Sequence, residues 1–186
     1  KVGTGRSTFL SHLLVRQYQS IKSNQLFAFR VDVEAFAGRD ADKQLFFAQL
    51  CRRLQDEVIE RFYSDKSFWI AMFDEIGPAS ISSDRDIAAT QYLRVIRAIY
   101  IEIWSRYQHR GLLLLDNIDK YYYLFDRASF SDEGAERRRS AMSKLQQILL
   151  EFSSPVGGLS GCALSVLVAL RRHTLHFLQA ENFAAP

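Results

Sequence analysis

The sequence predicts an α/β fold, a three-layer α/β/α sandwich built on a mostly parallel sheet. Three observations lead there. Short apolar runs of strand length alternate with longer segments of helical period along the chain. Residues 112–115 are four consecutive leucines between Gly111 and Asp116, a composition suited to a strand buried on both faces. The chain also opens on a glycine-containing turn, Lys1-Val2-Gly3-Thr4-Gly5-Arg6-Ser7-Thr8, directly before a helical pattern.

That turn has the composition of a phosphate cradle. Gly3, Thr4 and Gly5 let consecutive backbone N–H groups turn inward as a nest. The following helix, Thr8 to about Ile21, adds its free N–H groups and positive dipole end. Phe9, Leu10, Leu13, Leu14 and Tyr18 give that helix its apolar face. Ser7 is placed to put its hydroxyl on a Mg²⁺, and Arg6 to carry positive charge to the terminal phosphates. An arginine there binds phosphate with a planar fork and is not equivalent to a lysine. The plainer alternative is a glycine-rich turn before an ordinary helix.

The remaining elements follow in order. Residues 26–33 alternate as a strand, and Asp40 can cap a helix over about 41–62 with Leu45, Phe46, Leu50, Leu54 and Val58 inward. Phe68 to Phe73 form a short helix broken by Ile76-Gly77-Pro78. Asp84 or a neighbour starts a long helix to about Gln108, with Tyr92, Val95, Ile96, Ala98, Ile99, Ile103 and Trp104 on one face. The leucine strand ends in Asp116-Asn117-Ile118-Asp119, and its carboxyl end is where an open α/β sheet binds ligands. Tyr121 to Phe125 either pack beside that end or stack on a base. A helix over 133–152 carries Glu136-Arg137-Arg138-Arg139, read as a solvated basic face or as a contact to phosphate on a neighbouring subunit or DNA. The turn-rich residues 153–158 lead into a strand over 163–170 that ends in Arg171-Arg172.

The loop and the LLLLDNID segment together resemble the Walker A and Walker B motifs of P-loop NTPases, in the additional-strand group of AAA+, STAND and KAP-type ATPases. The resemblance implies ATP and Mg²⁺ as ligands. Lys1 to Thr8 would hold the phosphates, Ser7 and Asp116 the metal, and Asp116 would be the Mg²⁺-orienting acid. The following position, often an acid that activates water in these families, is Asn117, which leaves Asp119 as the nearest alternative base. Arg171, or Arg172 after it, matches the polar sensor at the end of the next strand and would stabilise charge on the transferred phosphoryl group. Those families order the sheet as fifth, first, fourth, third and second strand. The first would precede Lys1, the first Walker A glycine with it. The stretch of about 80 residues between the second strand and Asp116 exceeds one crossover and implies a helical insertion.

Composition sets outer bounds. With 186 residues, 48% hydrophobic and 13% aromatic, the chain can bury one sizeable core, and residues 1–186 are expected to form a single domain of a larger protein. Apolar runs fall short of the roughly 20 residues needed to span a bilayer, so no membrane role is expected. A net charge of +3 is too mild to argue for nucleic acid. Cys51 and Cys162 lack metal-ligand spacing and read as buried thiols of a cytoplasmic protein. The expected function is the nucleotide-binding core of a homo-oligomeric ATPase acting on further domains or a protein partner. Bacterial antiviral defence is the setting the resemblance suggests. A hydrolysis-deficient nucleotide switch, an origin-recognition-like DNA ATPase and a plain α/β interaction domain are the competitors.

Overall fold

In the computed structural model, residues 12, 25–36, 42–77, 84–118, 132–153 and 162–170 are described. Three strands, β1 (Leu26–Asp32), β2 (Arg110–Asp116) and β3 (Leu164–Val168), form one parallel sheet with β2 in the centre. The register sets Phe27 beside Gly111, Asp32 beside Asp116, and Leu115 beside Val168. Because all three strands run the same way, their carboxyl ends share one edge.

Among the described residues, four helices accompany the sheet: α1 (Lys43–Arg61), α2 (Lys66–Ile76), α3 (Arg85–Tyr107) and α4 (Asp132–Ser153). Single 3₁₀ turns lie at Val33–Ala35 and Tyr63–Asp65. Val33, expected to extend the strand, instead opens the first turn, because the Asp32 side chain accepts the Glu34 N–H at 3.1 Å and bends the chain. The cap of α1 is Asp42, whose carboxylate accepts the Leu45 N–H at 3.1 Å, two residues after the expected Asp40. Asp40 itself lies outside the described residues. Asp84 caps α3 as expected, with its carboxylate 3.3 Å from the Ile87 nitrogen.

Strand alternation divides the sheet. Phe27, Phe29, Val31, Leu113 and Leu115 join one core with α1, α3 and α4, and Leu164, Val166 and Val168 pack against its margin. From α1 the core takes Phe46, Phe47, Leu50, Cys51, Leu54 and Val58; Leu45, expected inside, is 43% exposed. From α3 it takes Leu93, Val95, Ile96, Ile99, Tyr100 and Ile103, while Trp104 turns outward. Helix α4 docks on α1 through Phe152, which meets the rings of Phe46 and Phe47, and through the Lys43–Glu151 ion pair at 2.9 Å. Among the described residues this core lies on one side of the sheet, and handedness accounts for it. Two right-handed crossovers stepping in the same direction, β1 to β2 to β3, put their helices on the same face.

The opposite face carries Ala28, Leu114 and Asp116, all buried, and at β3 the exposed Leu167. Gly111, where β2 begins, is required by close packing. A Cβ there would stand 2.6 Å from Tyr100 Cε1 and 2.9 Å from Leu164 Cδ1, and Tyr100 is itself fully buried.

Candidate functional site

The carboxyl edge of the sheet concentrates charge that the rest of the core lacks. Asp116 is the sole buried charged side chain among the described residues, at 2% exposure. An ionised carboxylate held that far from water needs strong partners. Arg30 supplies one: its Nη2 donates to Asp116 Oδ2 at 2.6 Å. Strand geometry accounts for the pairing. Arg30 and Asp116 share a sheet face, and Arg30 stands beside Leu114, two residues before Asp116, so its long side chain runs along the strand to reach the acid. The backbone N–H of Asn117 donates to the other carboxylate oxygen, Oδ1, at 2.9 Å.

Asp32 stands in register beside Asp116. Two like charges side by side on one face repel, and the local structure offsets this. Arg30 neutralises one acid, while Asn117 Nδ2 donates to Asp32 Oδ1 at 3.0 Å. Asn117 takes a left-handed backbone conformation, φ +58°, which asparagine tolerates better than most residues. The turn after β2 thereby aims the amide back across to β1. Asn117 is thus a clip between two strand ends.

The geometry bears on a metal as follows. Each Asp116 oxygen accepts an N–H, Oδ2 from Arg30 and Oδ1 from Asn117. The Asp116 carboxylate is a hard oxygen donor, the type of group that Mg²⁺ takes. Among the described residues no three His, Cys, Asp or Glu side chains converge as a metal set of their own.

Of the residues expected at the site, Asp116 is at the carboxyl edge. Lys1, Val2, Gly3, Thr4, Gly5, Arg6, Ser7, Thr8, Asp119, Arg171, Arg172 and Tyr121 to Phe125 lie outside the described residues. Strand β3 is held to β2 until just before Arg171, since the Ala169 N–H donates to the Leu115 carbonyl at 2.9 Å. Glu136, Arg137 and Arg139 on α4 are exposed. Sequence reasoning missed Arg30 and Asp32. The available signal was Arg30 within the apolar run LFAFRVD, since a cation inside a strand calls for an anion nearby.

Burial raises the Cys51 thiol to about 12, which makes it inert, and Cys162 is half-buried rather than buried. A groove of about 270 Å³ between the end of α2 and α3 is lined by Ile76, Gln91, Arg94, Val95 and Ala98, with no converging polar set. Among the described residues no helix is long and apolar enough to cross a membrane.

A parallel α/β sheet with a buried, arginine-paired acid at its carboxyl edge is the class that fold and site define. Comparison with family models, with curated proteins and with solved structures gave no match.

Proposed function

We propose that the chain is the nucleotide-binding core of a P-loop ATPase, with Lys1 to Thr8 as the phosphate loop and Asp116 as the acid facing a Mg²⁺. The observation that carries the reading is Asp116, a fully buried carboxylate at the carboxyl end of the central strand. Burial of a charge at that place costs stability, and a ligand-binding role accounts for retaining it.

Two features of the fold support the same reading. The order β1-β2-β3 corresponds to the second, third and fourth strands of the additional-strand arrangement. Leu114 and Ala28 are buried on the face that the α1, α3 and α4 core does not occupy. A helix over residues 8–21, with Phe9, Leu10, Leu13, Leu14 and Tyr18 inward, is the cover proposed for that face and would complete a three-layer sandwich. Its amino end would then rise beside Asp116, where a helix dipole favours phosphate.

In this reading Gly3, Thr4 and Gly5 bind phosphate through backbone N–H groups, and Arg6 neutralises the terminal phosphate. Ser7 and Asp116 would hold Mg²⁺, which when bound would supply charge neutralisation to the phosphates. Asp119 orients the attacking water, and Arg171 or Arg172 meets the charge on the transferred phosphoryl group. The test is ATP binding and turnover by the full-length protein beside Arg6→Ala and Asp116→Ala. Loss of binding in both variants is expected; equal binding in all three proteins overturns the reading.

A second reading, a nucleotide switch with little turnover, is favoured by Asn117. A carboxamide is no general base, so the position after the buried acid cannot activate water, and its Nδ2 is committed to Asp32. Retention of unhydrolysed ATP over hours selects this reading, and steady phosphate release selects the first.

A further inference from the structure

We propose that Arg30 is the resident counter-cation of the nucleotide site: it holds Asp116 before the metal arrives and competes with Mg²⁺ for that carboxylate. The proposal rests on the nucleotide-binding reading above and adds a residue that no motif contains. Its basis is geometric. Arg30 Nη2 lies 2.6 Å from Asp116 Oδ2, with Asp116 2% and Arg30 29% exposed. The pair is therefore accessible from the arginine side and shielded on the acid side.

A divalent cation placed beside Asp116 meets a fixed positive charge on the same carboxylate, where little water screens the repulsion. The guanidinium must then move off Oδ2 or share the acid at a cost in metal affinity. Arginine is suited to the displaced position, because it stays charged at any working pH and its donors fit phosphate as well as carboxylate. With metal absent, Arg30 offsets one of the two negative charges of Asp32 and Asp116, so an anionic nucleotide meets less repulsion. Arg30 thus acts through Asp116 as a positioning residue. It makes nucleotide binding less dependent on Mg²⁺ than a lone buried acid would.

The experiment measures the dissociation constant of a fluorescent ATP analogue for the full-length protein, in excess MgCl₂ and in EDTA. For the wild type the two values are expected to differ by less than about tenfold, since Arg30 supplies the missing cation. In Arg30→Gln the ratio is expected to rise to about 100-fold or more, and the MgCl₂ concentration at half-saturation to fall. Arg30→Lys, which keeps the charge, is expected to restore a small ratio. A purely structural role would lower thermal stability in both variants and leave the ratio unchanged, and that result overturns the proposal. A wild-type ratio above about 100-fold overturns it without any variant, which covers the case in which Arg30→Gln fails to fold. Wild-type protein that binds no analogue in either condition overturns the nucleotide reading and this proposal together. Binding with an Arg30-independent ratio overturns this proposal alone.

Discussion

The two ends of the sheet are built from opposite materials. At the amino end the strands start among rings. Phe27 stacks on Phe62 at 5.7 Å and meets Tyr100 edge-on at 5.8 Å, and Phe62 lies on Tyr107 at 4.1 Å with 8° between the planes. Trp69 closes the cluster and is fully buried. At the carboxyl end Arg30, Asp32, Asp116 and Asn117 form a short polar network. The difference shows how the labour is divided. Rings gain stability without needing exact donors and acceptors, so they can fix strand register. Charges stabilise little and demand geometry, so they are kept where that register delivers them to one another.

Loss of Trp69 should have the largest effect on this contrast. Trp69→Ala removes a fully buried indole from the ring cluster and should cost about 3–5 kcal/mol in urea unfolding. On the proposed nucleotide-binding reading, affinity below the unfolding transition should be unchanged, because the ring cluster and the polar network share no side chain. An affinity change beyond about tenfold would show that the two ends are coupled through register.

A smaller effect is expected at the polar end, from the clip between β1 and β2. Asn117→Gly keeps the left-handed backbone and removes the bond to Asp32, so it should cost about 1 kcal/mol. Asn117→Ala loses the same bond and adds the strain of a left-handed alanine, so it should cost about 1 kcal/mol more. Equal losses in the two variants would mean that the turn relaxes to another conformation and that the clip is not held by its backbone. Chemical denaturation of both variants decides it.

How far the sequence could be read follows the same division. Elements driven by apolar pattern were legible: the leucine run is β2, the long helix before it is α3, and the run over 163–170 contains β3. Exact ends were not, because caps are set by local competition. Asp42 rather than Asp40 took the start of α1, and the Asp32 side chain ended β1 one residue early. Leu45 and Trp104 were misplaced because a 3.6-residue period does not say how wide a helix's buried face is. Asp116 was legible because an acid closing an apolar strand stands out. Its partner was not, since Arg30 lies 86 residues away and meets it only through parallel pairing. Asn117 could be seen to depart from an acid, but its role as a clip depends on a positive φ that no pattern announces.

The smallest effect expected is a pH dependence confined to the ring end. His109 lies 6.1 Å from the Phe62 ring and 6.2 Å from Tyr107. Burial first, and then the positive charge of Arg61, hold its imidazole below the ordinary value of 6.5. As pH falls through about 6.5 the unfolded chain takes up this proton before the folded one does. The contribution of His109 to stability is therefore complete above that pH and declines as pH drops from there to the folded value, with no further loss below it. Urea midpoints compared between about pH 7.5 and 5.5 should fall more in the wild type than in His109→Gln, which has no imidazole to charge. Nucleotide affinity should show no His109-dependent change over the same range, since His109 stands at the amino end of β2 and Asp116 at its carboxyl end. Equal pH slopes in the two proteins would mean that His109 charges as readily when folded as when unfolded, and that the ring end is more open to water than its packing indicates.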